Sequence, residues 1–408
     1  MKYANYKYYG KNLNNLGDQA QLLAVDNLYE EMGILLDDIV YIDSNDVQAY
    51  DKEPVLLPVL MPLNDYHEKG IAGMFSDKVT PVFLGFTMIK DSLLDVEIEF
   101  LKKHEPVGCR DERTYKTLSD FGVNAYLSGC LTATWPRRKE NLEKQSKVFI
   151  IDHAKGLKDY IPYALKKNAV KDTHIFYERF ENPKLVAKNR YDRYKNEARL
   201  VITSLLHCAS PCMAMGIPVI LTKDKLSYRF GWLDTLLPIY SPEEYGEINW
   251  NPNSVVYENH KKTLRELFEK RMKGLDASNE IQRVHKFYMN RKRTEYVVDN
   301  VAIIDFIKEN WLDYDAEYEY SIWGLHQISE VTYNYISKNY PKARLMNIYD
   351  LRVGTKFKGI SAKHPNELVA YPNETVFVTT MSAAKAARDL FEEINKPTNL
   401  YKTVEAMI

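Results

Sequence analysis

Apolar positions along the chain fall into short β-branched runs separated by longer stretches with apolar residues three and four apart. The clearest case is LVITSLLHCASPCMAMGIPVILTKD, residues 200–224. Residues 200–203 read as a buried strand, 207–215 as a helix ended by Gly216, and 217–221 as a second buried strand. Upstream, Leu22, Leu23, Val25, Leu28, Tyr29 and Met32 give helical spacing over 20–32, opened by Gly17 and Asp18 and stopped by Gly33. Strands are expected at 39–42, 55–61, 79–86, 107–109, 126–127, 147–151 and 173–176. Helices are expected at 91–104, from Asp111 or Thr114 to Phe121, and at 185–196, 259–273 and 281–310. The tail reads as a strand from Tyr320, a helix at 330–338, strands at 345–348 and 375–380, and a helix at 383–393. Strand and helix alternate throughout, which predicts an α/β fold with mostly parallel sheets. A charged stretch at 137–145 sets the first boundary. The expected domains are 1–145, 146–312 and a smaller one over 313–408.

Composition narrows the function classes. The 408 residues are 45% hydrophobic and 27% charged, with a formal net charge of −1. That is ordinary for a globular chain and gives no electrostatic case for a nucleic-acid partner. No apolar run reaches the length of a membrane span, and MKYANYKYYG lacks the apolar core of a signal peptide. The expectation is a cytoplasmic protein, at most in peripheral contact with the inner face of a membrane. Cys109, Cys130, Cys208 and Cys212 are too scattered for a disulfide framework and lack a second pair at zinc spacing, so they read as reduced, buried thiols and no metal is expected. Nothing in the pattern sets an oligomeric state.

Candidate chemistry gathers where strands end and helices begin. Ser204 and His207 follow the strand at 200–203, and a helix start there presents unpaired N–H groups to a phosphate or carboxylate. Asn15, Gly17 and Asp18 open the first long helix. Arg110 and Arg113 follow the strand at 107–109, where guanidinium forks can grip an anion, with Asp111 between them. Ser128 follows the next strand, His153 ends the strand at 147–151, and Lys223 and Arg229 form a basic cluster before Gly231-Trp232. On spacing alone the 200–224 stretch is a βαβ unit of any α/β enzyme, with His207 a half-buried histidine.

Three of these motifs, in order, resemble the polysaccharide pyruvyl transferase family: Asn14-Asn15-Leu16-Gly17-Asp18, then Gly108-Cys109-Arg110-Asp111 with Ser128-Gly129-Cys130-Leu131-Thr132, then Ser204-Leu205-Leu206-His207 running to Gly216-Ile217-Pro218-Val219. Arg229 in Tyr228-Arg229-Phe230-Gly231-Trp232 also falls on a family position. Two places depart from the family pattern: Leu205 stands where it has Arg, and Asn249 where it has an acid. The resemblance implies a GT-B-like pair of Rossmann-like halves. It also implies transfer of the enolpyruvyl group of phosphoenolpyruvate to two hydroxyls of a glycan or lipid-linked sugar, forming a pyruvate ketal, with no cofactor beyond that donor. Donor phosphate and carboxylate need cations, for which Arg110, Arg113, Lys223 and Arg229 are candidates. Asn15, Gly17, Ser128 and Ser204 shape the substrate site. The donor methylene needs an acid with a pKa near neutrality, here His207, and the sugar hydroxyl a base, for which Asp18, His153 and Asp111 are candidates.

Two other classes remain: a GT-B-like glycosyltransferase using a nucleotide sugar, made more credible by Leu205, and a non-catalytic scaffold of exopolysaccharide or capsule assembly. The tail resembles small Rossmann-like domains beside sugar-modifying enzymes. Of their Gly-x-Gly-x-x-Gly loop only Gly324 remains, with His326 and Ser329 at the next two positions. Asp350 stands where a ribose-binding acid would lie. A scaffolding or acceptor-positioning domain is expected there rather than a working dinucleotide site.

Overall fold

The computed structural model of the chain describes residues 2–7, 14–60, 69–88, 92–139, 141, 143–176, 180–289, 301–325 and 327–403. Parts of the expected elements at Met61, Asp91 and 290–300, and the expected loop residue His326, lie outside these residues. The chain divides into two compact units, one built from residues 1–62, 73–87 and 101–297, the other from 63–72, 88–100 and 298–408.

In the first unit the chain runs β1 (Lys2–Lys7), β2 (Asn14–Asn15), α1 (Leu16–Glu31), β3 (Val40–Asp43), β4 (Val55–Val59), β5 (Val79–Phe86), β6 (Val107–Cys109), α2 (Glu112–Asp120) and β7 (Ala125–Leu127). These strands, β2 apart, form one parallel sheet in the order β3-β1-β4-β5-β6-β7. There follow β8 (Lys147–Ile151), β9 (Val170–Asp172), β10 (Ile175–Phe176), α3 (Pro183–Glu197), β11 (Ala198–Thr203), α4 (Leu206–Ala214), β12 (Val219–Thr222) and β13 (Ile239–Tyr240). They form a second parallel sheet, β13-β12-β11-β8-β9. Helices α5 (Glu258–Met272) and α6 (Ser278–Met289) close the unit. Each sheet is wound outward from its first strand in the same doubly wound sense. Its order reverses between β1 and β4 in one sheet and between β8 and β11 in the other, and the carboxyl ends at such a reversal are where α/β sheets bind ligands.

Between the sheets lies one continuous apolar core, fed by α1, α3, α4 and α5 through residues such as Leu28, Tyr191, Cys212 and Leu264. Trp135 donates from its indole to the Ala20 carbonyl at 3.3 Å and packs 4.8 Å from the Tyr191 ring. All four cysteines are buried free thiols. The expected strand at 173–176 does not join the second sheet. Its last two residues, β10, pair antiparallel with β2 instead, and the Leu16 amide donates to the His174 carbonyl at 2.9 Å. This small ladder ties the start of α1 to the second sheet's connecting loop.

In the second unit, α7 (Val301–Asn310) precedes β14 (Glu319–Trp323), α8 (Gln327–Asn339), β15 (Arg344–Tyr349), β16 (Lys356–Phe357), β17 (Ile360–Lys363), β18 (Thr375–Val378), α9 (Met381–Glu393) and β19 (Tyr401–Thr403). The sheet order is β16-β17-β15-β14-β18-β19, parallel except for the β16–β17 pair. The parallel part has the order of a dinucleotide-binding half. Its Asp350 is already engaged: the carboxylate accepts from the Leu325 amide at 2.8 Å and pairs with Arg352 at 2.9 Å. A Cβ at Gly324 would lie 2.4 Å from the Thr380 hydroxyl, so the glycine admits a close approach of β18's end to β14's. Among the described residues, no helix in either unit is long and apolar enough to cross a membrane.

Candidate active site

The start of α1 and the start of α4 meet. Asn15 is the residue that caps α1: its side chain accepts from the Gly17 amide at 2.9 Å, which leaves Asp18 inside the first turn rather than capping it. That placement frees the Asp18 carboxylate from backbone duty. Gly17 lies against the imidazole of His207, where an added Cβ would come 3.0 Å from His207 Cβ and 3.6 Å from its Nδ1. The first and third sequence motifs therefore form one surface.

His207 is 7% exposed and sits in the first turn of α4. Its carbonyl accepts from the Tyr191 hydroxyl, and its Nε2 is 3.8 Å from the Cys130 thiol. The local sequence explains the Tyr191 bond. Pro211, four residues on, has no N–H to give the His207 carbonyl. The phenol supplies the missing donor and fixes the backbone of His207 in the process. Leu205 caps α4 without a side-chain hydrogen bond and packs partly into the core, so no guanidinium issues from the position where the family has Arg.

Arg110 is fully buried beyond the end of β6. Its Nη1 donates to Gln21 at 3.2 Å, while Nε and Nη2 have no hydrogen-bond partner among the described residues. Buried N–H donors are nearly always satisfied, so two on one cation mark a place prepared for an anion. Arg229 comes from the turn Tyr228–Phe230. Its side chain is exposed, yet enough protein crowds the guanidinium to lower its pKa, with Arg110 adding to the effect. Because the side chain reaches solvent and the group is so strongly basic, we treat its charge as retained.

The titratable groups respond to these two cations. Burial, then Arg110 and Arg229, hold the His207 imidazole well below the usual histidine range, so it is uncharged at neutral pH in the free protein. The expectation of an acid poised near neutrality is thus not met in this state. A buried imidazole next to two guanidinium groups resists a third positive charge. Asp18 moves the other way: burial pushes it up to about 6, and Arg229 and Arg110 only partly oppose that rise.

The other sequence candidates divide. Asp111 is engaged structurally, accepting from the Thr114 amide at 2.9 Å as the cap of α2 and from the Thr87 hydroxyl at 2.5 Å. Ser128 accepts from the Gly85 amide at 2.9 Å, bridging β5 to the end of β7. The Ser204 hydroxyl donates to the Asp152 carbonyl, joining the ends of β8 and β11. His153 Nδ1 lies 2.9 Å from the Ala154 carbonyl. Lys223 lies over the Phe230 ring at 5.6 Å. Arg113 stacks its guanidinium 5.0 Å from the centre of the Tyr228 ring and lines the same recess as Arg110. Sequence reasoning missed Gln21, whose signal was its place three residues after Asp18 on the same helical face. It also missed Tyr191, which only Pro211 could have pointed to.

A Gly17→Ala protein is expected to fold and lose at least about tenfold in turnover, because the methyl comes 3.0 Å from both His207 Cβ and the Asn15 oxygen that caps α1. Circular dichroism and steady-state rates check this, and unchanged turnover would show that the contact does not set the ring's position.

Two doubly wound sheets, a buried arginine with free donors and an imidazole at a strand-to-helix turn supply groups that a transferase can use. The sequence model for polysaccharide pyruvyl transferase matches residues 15–222, more than half of the chain. The chain therefore belongs to the polysaccharide pyruvyl transferase family and is a transferase enzyme whose family moves a pyruvyl group to a sugar acceptor. Among solved structures, it is similar to the functionally uncharacterised protein KP1_0663 from Klebsiella pneumoniae subsp. pneumoniae NTUH-K2044, at 14% identity and a TM-score of 0.31, over 54% of this chain and 83% of that one. No curated protein matches the chain.

Proposed function

We propose that the enzyme transfers the enolpyruvyl group of phosphoenolpyruvate to two hydroxyls of one sugar, within a polysaccharide or its lipid-linked precursor, and closes a pyruvate ketal. The observation that carries this reading is Arg110: fully buried, with two donors unused, and within electrostatic reach of Asp18, His207 and Arg229. Phosphoenolpyruvate brings a phosphate and a carboxylate to such a focus and needs no cofactor. Arg229 supplies there part of the charge that Leu205 does not.

The steps balance as follows. The first sugar hydroxyl bonds to C2 of the donor while C3 gains a proton and becomes a methyl group. The second hydroxyl then bonds to C2, the C2–O bond to phosphate breaks, and its proton leaves with the phosphate. Asp18, with its pKa near 6, is suited to take the hydroxyl proton. His207 is uncharged before the donor arrives. A bound dianion offsets Arg110 and Arg229, removes their repulsion and raises the imidazole pKa, so the ring becomes the acid toward C3 only once the donor is in place. Cys130 and the Tyr191–carbonyl bond hold the ring for that transfer. Action on a lipid-linked sugar would place the enzyme at the inner face of a membrane.

Thermal shift tests the donor. Saturating phosphoenolpyruvate should raise the melting temperature by a few degrees while a nucleotide sugar leaves it unchanged. The reverse result would replace this reading with that of a glycosyltransferase.

A further inference from the structure

Beyond Arg110 opens a recess whose other lining residues the donor chemistry does not use. It has a volume of about 260 Å³, and Arg110, Arg113, Lys116, Tyr228, Trp232 and Tyr288 form the walls that matter. Trp232 and Tyr288 are 3% and 2% exposed. Neither the indole N–H of Trp232 nor the hydroxyl of Tyr288 has a hydrogen-bond partner among the described residues. These are large aromatic walls with buried polar tips left unsatisfied, an arrangement that suits a pyranose ring, whose C–H face packs on aromatics and whose hydroxyls accept such donors. The sequence protects the geometry. Gly129, at φ 63°, lies where a Cβ would come 2.4 Å from Tyr288 Cζ, so this glycine of the Ser-Gly-Cys motif seats the phenol in the wall.

Charge narrows the ligand further. Three cations face the recess against two acids, Asp111 and Glu112, and both Asp111 oxygens are engaged by Thr87 and Thr114. Arg110 is already given to the donor, so the charge left for a second ligand centres on Lys116, which is exposed at the recess and has no ion-pair partner among the described residues. His207 and Asp18 do not line the recess.

We propose that this pocket is the acceptor subsite and that the sugar it takes carries a negative group, a carboxylate or a phosphate, directed toward Arg113 and Lys116. The proposal rests on the donor lying on the His207 side of Arg110. The carboxylate of a uronic acid and the phosphate of a sugar phosphate offer the same chemistry, and separate probes tell them apart.

Calorimetric titration of the full chain with glucose, glucuronate and glucose 6-phosphate, and with the three galactose counterparts, tests it with and without phosphoenolpyruvate. At least one acidic sugar should bind about tenfold or more tighter than its neutral parent and bind equally well with the donor present. Whichever acid wins identifies the group. Lys116 is exposed on α2, so Lys116→Ala should fold normally, lose most of that advantage, and keep both neutral-sugar binding and the thermal shift with phosphoenolpyruvate. Trp232→Phe, which keeps the ring and removes the N–H, should weaken neutral and acidic sugars alike. Equal binding of acid and neutral forms overturns the proposal. So does the absence of acid binding at about 10 mM, displacement of the acid by phosphoenolpyruvate, or a lost donor shift in Lys116→Ala. If phosphoenolpyruvate itself fails to bind while Lys116-dependent acid binding persists, the subsite stands and the donor assignment alone falls.

Discussion

Replacing His207 with alanine is expected to abolish phosphate release from phosphoenolpyruvate in the presence of a competent glycan, with a rate loss of about 10²–10⁴. The loss should fall on turnover rather than on donor binding, because the cations that hold the donor remain. His207→Gln keeps most of the volume and an N–H but cannot deliver a proton. It should be as inactive as the alanine protein while melting close to the parent temperature. Phosphate release under single turnover, together with the donor-induced thermal shift, separates the two effects. Full activity in either variant would remove the imidazole from the proton transfer.

Arg110→Met should separate stability from function. In the free protein Arg110 is a buried charge with two unused donors, and each such donor costs roughly 1–3 kcal/mol. Methionine of similar length removes that cost and leaves Gln21 without its partner, which returns about 1 kcal/mol. The free variant is therefore expected to melt at least about 2 °C higher than the parent, yet phosphoenolpyruvate should no longer raise its melting temperature and turnover should fall by at least about 10³. A less stable variant that still responds to the donor would mean that the guanidinium serves the fold alone. Sites held ready for charge commonly carry this kind of instability.

Much of the first unit could be read from spacing. The run at 200–203, the small-residue helix after it and Gly216 became β11, α4 and the turn to β12 because their apolar pattern has one stable burial. Asp111 as the cap of α2 was equally legible. β1 was not: its Lys, Tyr and Asn residues look solvent-facing. Yet Asn5 is fully buried, its amide satisfied by the Leu22 carbonyl at 3.0 Å and Asp26 at 2.7 Å. A tertiary partner decides such a strand, and local pattern does not contain it. The same holds for the β2–β10 ladder, two residues on each side, far apart in sequence. In the site, the motifs named the right helix starts but not the state of their groups. The uncharged imidazole of His207 follows first from its burial and then from the nearness of Arg110 and Arg229, neither of which linear spacing shows. Nothing in the spacing around Trp232 and Tyr288 singles them out, and only their unsatisfied tips distinguish them from other core aromatics.

Pro211 breaks one rung of its own helix, and α3 mends it from outside through Tyr191. The repair turns an internal bond into a strut between neighbouring helices. The position of the His207 ring is thus stored partly in a residue sixteen places upstream, and drift at 191 would shift that ring while leaving His207 itself unchanged.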